Sequence, residues 1–266
     1  MPLDFSPYSA VFLDLDGTVY HETEVLPGAV ELVNALKSSG IPFACLTNSG
    51  GSPLHVMEHL EDMGIDIDPD NIYTAAAASC DYVLEHFATP GRKPQIFNMA
   101  TQSCQEMLEG SVDWVEQIDQ PCDAILIAGP VNAYASFDRQ RIALELARRG
   151  ARIIGLSADR IYPSPRGLEF GSGAMTWMIA YAAGVEPFFC GKPEEVFFHE
   201  LCGRLDVPPD RCLLIGDNLE SDIVGGKRVG MRTILTLTGV ARRSDLSLTA
   251  PEFHPDMVVE DLKELL

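Results

Sequence analysis

Four short segments of this 266-residue chain carry polar residues at spacings that could do chemistry. In Asp14-Leu15-Asp16-Gly17-Thr18, one residue separates two acids. On an extended strand end, residues i and i+2 point the same way, so the two carboxylates converge. Like charges that close are costly unless a cation lies between them. An all-oxygen set of this kind suits Mg2+, which takes a few carboxylates together with water and phosphate. The plainer alternative is an Asx-turn closed by an Asp-Gly step. Thr47-Asn48 offers a hydroxyl and an amide that could bond a phosphoryl oxygen, or simply cap a helix. Gly191-Lys192-Pro193 follows the apolar Phe188-Phe189-Cys190, so Lys192, one of five lysines, does not sit on a helix face. A partly buried lysine needs an anionic partner. The last segment is Gly216-Asp217-Asn218-Leu219-Glu220-Ser221-Asp222. Asp217 leaves a strand end, and Asp222 lies about one helical turn further on, near enough to face the same site. Asp217 or Asn218 could instead cap the following helix. A calcium loop fails on its glycine and glutamate spacing.

The elements that must position these residues alternate along the chain. Ala10-Val11-Phe12-Leu13 is a short apolar run stopped by the first acidic pair, and reads as a buried strand running into a loop. Val30, Leu32, Val33 and Leu36 have helical spacing after Pro27-Gly28, and Gly40 closes that helix. Ile41 to Leu46 is a second strand, and helical spacing resumes at Val56, Leu60 and Met63. The middle repeats the rhythm: strand Ala124–Ile127, amphipathic helix Phe137 to Arg149, strand Arg152 to Leu156. Two further strands, Cys212 to Ile215 and Thr233 to Leu237, follow near the end. This order predicts right-handed crossovers and parallel sheet, either one doubly wound sheet or two stacked α/β units. Ligands of such sheets sit beyond the carboxyl ends of the strands, which is where all four segments fall.

Composition narrows the partners. Apolar residues at 46% and charged residues at 22% predict a packed core rather than general disorder. A net charge of −20 makes a large basic patch improbable, which argues against nucleic acid and against an anionic membrane surface. No apolar run approaches a bilayer span, and the first residues lack the pattern of a signal peptide. Seven cysteines without a Cys-x-x-Cys pair read as reduced and structural, which suits the cytoplasm. Residues 78–187 carry 13 acidic and 9 basic residues, net −4, against net −16 for the rest, so the middle is less hostile to an anionic ligand.

Taken in order, Asp-x-Asp-Gly-Thr, Thr-Asn, Gly-Lys-Pro and Gly-Asp-Asn-x-x-x-Asp resemble the four motifs of the haloacid dehalogenase-like (HAD) phosphohydrolase superfamily. Leu26-Pro27-Gly28-Ala29, Gly171-Ser172-Gly173-Ala174 and Val229-Gly230-Met231-Arg232-Thr233 extend the resemblance to its nitrophenyl-phosphatase-like, NagD-like branch. The resemblance implies an α/β fold: a doubly wound, Rossmann-like parallel-sheet core from residues 1–77 and 188–266, with an inserted α/β cap at 78–187. It implies Mg2+-dependent hydrolysis of a small phosphorylated metabolite. Asp14 would be the nucleophile, and Asp16 would protonate the leaving oxygen and then activate water. Mg2+ would be held by Asp14, the main-chain carbonyl of Asp16, and Asp217, with Asp222 supporting the metal shell. Thr47 and Lys192 would bind phosphoryl oxygens, and Asn48 is a second positioning candidate.

In the cap, relatives often carry an Ala-Thr-Asn-Pro-Asp-like stretch where this chain has Ser157-Ala158-Asp159-Arg160-Ile161-Tyr162-Pro163. Arg160, Tyr162 and Arg166 are the candidate leaving-group contacts. The helix from Ala174 to Ala183 is expected to pack cap on core, and an exposed cap sheet could form a homo-oligomer interface. Three alternatives share the scaffold. A dehalogenase needs no metal, so Asp16 and Asp217 argue against it. A phosphomutase must exclude water. A catalytically silent phosphometabolite-binding protein would not require a nucleophile.

Overall fold

The structure, a computed structural model, describes residues 3–129, 133–164 and 167–266. Its contacts divide the chain into two units: Met1–Thr47, Pro53–Tyr73 and Lys192–Leu266 form the first, and Asn48–Ser52 and Thr74–Gly191 form the second.

In the first unit, apolar strands with no alternation predict a sheet covered on both faces. The sheet has six strands, in the order Met257–Val259, Arg232–Thr236, Cys212–Gly216, Ala10–Asp14, Phe43–Thr47 and Ile72–Thr74. The pairings from Met257–Val259 through Phe43–Thr47 are parallel. The chain begins in the middle of this sheet, grows first to one side and later to the other. The order therefore reverses at Ala10–Asp14, and a reversal opens a crevice at the carboxyl ends of the strands. Helix Ala29–Ser39 follows the expected spacing, burying Leu32, Val33 and Leu36. Helix Pro53–Asp62 buries Val56 and Leu60. These side chains meet Val11, Leu13, Ile215 and Ile234 in one core. Helix Glu195–Leu205 buries Phe197 and Phe198, and the ring of Phe197 packs on Tyr73 at 5.0 Å between centroids.

The second unit has its own five-stranded parallel sheet, in the order Phe188–Phe189, Arg152–Gly155, Ala124–Ile127, Gln95–Met99 and Asp113–Trp114. Helices Ala75–Phe87, Phe137–Arg148 and Ser172–Ala183 belong to it. Its core joins Phe97, Ile125, Ile127, Leu146, Ile153, Met175 and Ile179. An antiparallel hairpin of Ile161–Ser164 and Gly167–Phe170 precedes the last helix; the sequence reading does not anticipate it.

The contact-based units change at 73/74 and 191/192, within a few residues of the 77/78 and 187/188 read from the sequence, and two local features lie at these points. Helix Ala75–Phe87 is continuous and is capped by Thr74, whose Oγ1 accepts from the Ala77 amide at 3.0 Å, so a boundary at 77 would cut it. Strand Phe188–Phe189 pairs with Ile154 and Gly155, which carries the second sheet to residue 189. Residues 48–52 join the second unit through bonds such as Thr101 Oγ1 to the Gly50 carbonyl at 2.8 Å. Among the described residues no helix is long and apolar enough to cross a membrane.

Candidate active site

Strand register in the first unit brings the motifs to one edge. Leu13 pairs with Ile215 on one side, and Asp14 pairs with Leu46 on the other. Asp14 therefore ends the central strand level with Leu46 and Gly216, and the next residues out are Thr47 and Asp217. The oxygens of Asp14, Asp217 and Asp222 all lie within 4.8 Å of one another, and all three residues are buried. Lys192 is buried beside them; its Nζ donates to Asp222 Oδ1 at 2.7 Å and to Asp14 Oδ1. Thr18 Oγ1 donates to Asp14 Oδ2 at 3.1 Å. The Val240 amide donates to Asp217 Oδ2 at 2.5 Å, and the Asn218 amide to Asp222 Oδ2 at 3.1 Å.

Three buried carboxylates share the site with one ammonium, which contacts Asp14 and Asp222, and the proton affinities of Asp217 and Asp222 reflect the surplus. Burial, then the charges of Asp14 and Asp222, push Asp217 up to about 9. Burial and Asp14 push Asp222 up to about 6, against the pull of Lys192. Burial alone would lower Lys192, but Asp14 and Asp222 together hold it above its ordinary value. A buried set of hard oxygen donors with excess negative charge is the chemistry of a Mg2+-type site, so these residues fit a divalent cation. Among the described residues this is the one group of three or more His, Cys, Asp or Glu side chains that could share an ion.

A pH dependence follows from the two raised carboxyls. Their folded values lie above the ordinary 3.8, so the folded protein holds protons that the unfolded chain releases. This contribution is fully present below about pH 4 and is lost as pH rises through about 6 and then about 9. In EDTA, the Tm is expected to fall across that window in thermal melts. Added Mg2+ should raise the Tm more at pH 8 than at pH 5, where protons compete for the same oxygens. An equal rise at both values would contradict the cluster as the binding site.

The backbone around the cluster explains two glycines in the motifs. Gly17 has φ +87°, and a Cβ there would lie 2.5 Å from Asp217 Oδ2. A Cβ on Gly216 would lie 2.5 Å from Asp222 Cγ. Any side chain at either position would push an acid out of the cluster. Asn218 settles the capping question left open by the sequence. Its Oδ1 accepts from the amides of Glu220 at 2.9 Å and Ser221 at 3.1 Å, which frees Asp217 and Asp222 to face inward. The capped segment Leu219–Val224 is a π-helix, a form often found at functional sites.

The remaining candidates are placed differently. Asp16 presents most of its side chain to solvent, and its carboxylate is not one of the three in the cluster. The surrounding protein still pushes its acid group above the usual range, opposed by His21, whose Nδ1 lies 3.9 Å away, and by Lys192. Thr47 is buried at its strand end. Asn48 belongs to the second unit, where its Nδ2 donates to Asp159 Oδ2 at 2.9 Å. Ser157 Oγ donates to the same oxygen at 2.8 Å. Arg160 and Tyr162 are exposed residues of the second unit. Arg166 lies outside the described residues. Sequence reasoning gave no role to Thr18, Val240 or Asp159. Thr18 stands inside the first motif; Val240 acts through its main chain, which no residue type announces.

Comparison with known proteins agrees with this geometry. A model described as haloacid dehalogenase-like hydrolase matches residues 11–111, and one described as HAD-hydrolase-like matches residues 189–265. Over 260 residues the chain is 32% identical to the acid sugar phosphatase of Staphylococcus aureus, covering 97% of each protein. It is similar to the solved 4-nitrophenylphosphatase of Thermotoga maritima, at 27% identity and TM-score 0.87, covering 98% of this chain and 97% of that one. Its fold is shared by NagD of Escherichia coli K-12, at 23% identity and TM-score 0.85, covering 99% and 98%. The chain belongs to the haloacid dehalogenase-like hydrolase family. Within that family it is a phosphoric monoester hydrolase.

Proposed function

We propose that this chain hydrolyses small phosphate monoesters with the help of Mg2+, through a phosphoaspartyl intermediate on Asp14. The observation that carries the reading is the buried trio of Asp14, Asp217 and Asp222, two of which, Asp14 and Asp222, hold the ammonium of Lys192. Lys192 and Thr18 each hold one oxygen of Asp14, which orients its carboxylate for attack on phosphorus. The ester P–O bond breaks as the Asp14–phosphorus bond forms, and Asp16 gives its proton to the leaving oxygen. Asp16 then takes a proton from water as that water attacks phosphorus, freeing Asp14 and inorganic phosphate. The solvent-facing place of Asp16 and its raised acid group support this double role. Lys192 and Thr47 would bind the phosphoryl oxygens that gain charge, with Asn48 a further positioning group. Mg2+ would be held by Asp14, Asp217 and the main-chain carbonyl of Asp16, steadied by Asp222, and would offset the repulsion between carboxylate and phosphate.

The segment 78–187 is read as the cap that selects the leaving group, with Arg160, Tyr162 and Arg166 as its candidate contacts. Seven free cysteines support a reducing, cytoplasmic location. The staphylococcal relative's name makes sugar phosphates the first substrates to try, beside nucleoside monophosphates and phosphoglycolate. Inorganic phosphate release from such a panel is expected with Mg2+ and is abolished by EDTA. Release that EDTA leaves untouched would overturn the metal site. Folded protein that releases phosphate from no ester would favour a mutase or a silent binder.

A further inference from the structure

Strand Arg232–Thr236 of the first unit is followed by Leu237-Thr238-Gly239-Val240-Ala241, a loop with no charged residue. Its backbone closes around Asp217. The Ala241 amide donates to the Asp217 carbonyl at 3.1 Å, just as the Val240 amide donates to the carboxylate. Gly239 lies so near that a Cβ there would collide with Asp217 Oδ2. Gly17 approaches the same oxygen from the turn after Asp16. Two backbone segments can meet one carboxylate in this way only because neither brings a side chain.

A hydroxyl ties the two segments together. Thr238 Oγ1 donates to the Gly17 carbonyl at 2.7 Å, across 221 positions of sequence. A hydroxyl has one proton to give, so the 2.9 Å bond between Thr236 Oγ1 and Thr238 Oγ1 runs from Thr236 to Thr238. Thr236 is fully buried at its strand end. The relay from Thr236 through Thr238 to Gly17 is therefore anchored in the sheet, and aligned bonds of this kind strengthen one another. The Gly17 amide is held as well, donating to the Tyr20 carbonyl at 2.7 Å. With both polar groups bonded, Gly17 has little freedom to turn. The peptide between Asp16 and Gly17 is planar and trans, so a fixed Gly17 N–H also fixes the direction of the Asp16 carbonyl.

We propose that Thr238 is a positioning residue for phosphoryl transfer. Its hydroxyl locks the Asp16–Gly17 turn to the loop that holds Asp217. The carboxylate of Asp16, its main-chain carbonyl and the carboxylate of Asp217 then keep one arrangement. The proposal rests on the phosphatase reading for the roles of Asp16 and Asp217. Thr238 acts through Gly17, so losing its hydroxyl should loosen two functions together: Mg2+ binding and proton delivery by Asp16.

Thr238→Val removes the hydroxyl and keeps the branched shape, whereas Thr238→Ser keeps the hydroxyl. Thr233→Val is the control: Thr233 is buried on the same strand, and its Oγ1 makes no hydrogen bond. Calorimetric titration with Mg2+ should give a Kd raised at least about fivefold in Thr238→Val, and close to wild type in Thr238→Ser and Thr233→Val. At saturating Mg2+, kcat/KM is then compared for 4-nitrophenyl phosphate and an alkyl phosphate. This constant covers the steps up to departure of the alcohol, and nitrophenolate departs without a proton. Thr238→Val should lose about tenfold more on the alkyl ester than on the nitrophenyl ester, a difference of about 1.4 kcal/mol in transition-state stabilisation. Circular dichroism and Tm verify that each variant is folded. A folded Thr238→Val protein with wild-type Mg2+ affinity, or with equal losses on the two esters, overturns the proposal. If Thr238→Val does not fold, Thr236→Val takes its place; it removes only the donor to Thr238, and wild-type values in both measurements overturn the proposal equally. The titration needs no turnover. A wild type that releases phosphate from no ester thus refutes the phosphatase reading, while the Mg2+ Kd still judges Thr238.

Discussion

Replacing Asp14 with Asn is expected to lower kcat by at least about 10^4-fold while the protein stays folded. The amide keeps the shape of the side chain but cannot attack phosphorus. The stability consequence runs the other way and makes the prediction specific. Without metal, Asp14 is one of three clustered buried carboxylates, and its charge helps to raise both Asp217 and Asp222. Removing that charge relieves the other two, while Lys192 keeps its 2.7 Å bond to Asp222. The Tm of Asp14→Asn in EDTA should therefore be no lower than wild type, and the rise on adding Mg2+ should shrink. A large loss of Tm together with the loss of turnover would mean that Asp14 serves the fold rather than the reaction.

Lys192→Ala should be the most destabilising change at the site. It leaves two buried acids without their shared cation, and breaking a buried ion pair in this way costs about 3–5 kcal/mol. Urea unfolding in EDTA measures the loss, and Mg2+ should restore part of it by replacing the missing positive charge. Activity should fall by about 10^2- to 10^3-fold even with metal present, because a donor to the phosphoryl oxygens is gone. Lys192→Arg should not recover it. The buried pocket holds a compact ammonium between Asp14 and Asp222, and a planar guanidinium presents its donors differently. Wild-type stability in Lys192→Ala would contradict the ion-pair geometry.

The parts of this site legible in the sequence are those fixed by strand ends. Asp14, Thr47 and Asp217 follow apolar runs, and a parallel sheet leaves such residues at its carboxyl edge. Lys192 was legible because a lysine directly after an apolar run must find an anion. Asp222, read as lying near enough to face the same site, has its carboxylate in the buried trio beside Asp14 and Asp217. That placement depends on the π-helix and on the Asn218 cap, neither of which has a periodic signature. The Asn48–Asp159 bond joins residues 111 positions apart, and residue types alone do not pair them. The hairpin at 161–170 was missed for a related reason. A single short ribbon has too few residues to establish a period, and an exposed apolar face looks in sequence like a buried one.

The most direct test of the account is to trap the phosphoryl group on the protein. The Asp16→Asn variant is mixed with 4-nitrophenyl phosphate and Mg2+, quenched in acid and digested for mass spectrometry. Nitrophenolate leaves without a proton, so the first step proceeds, while the second lacks the base that Asp16 supplies. The expected result is one added phosphoryl group on the peptide containing Asp14, absent when Asp14→Asn is combined with it. Release of nitrophenol with no phosphoryl group on that peptide, or with the group on another residue, would contradict Asp14 as the nucleophile.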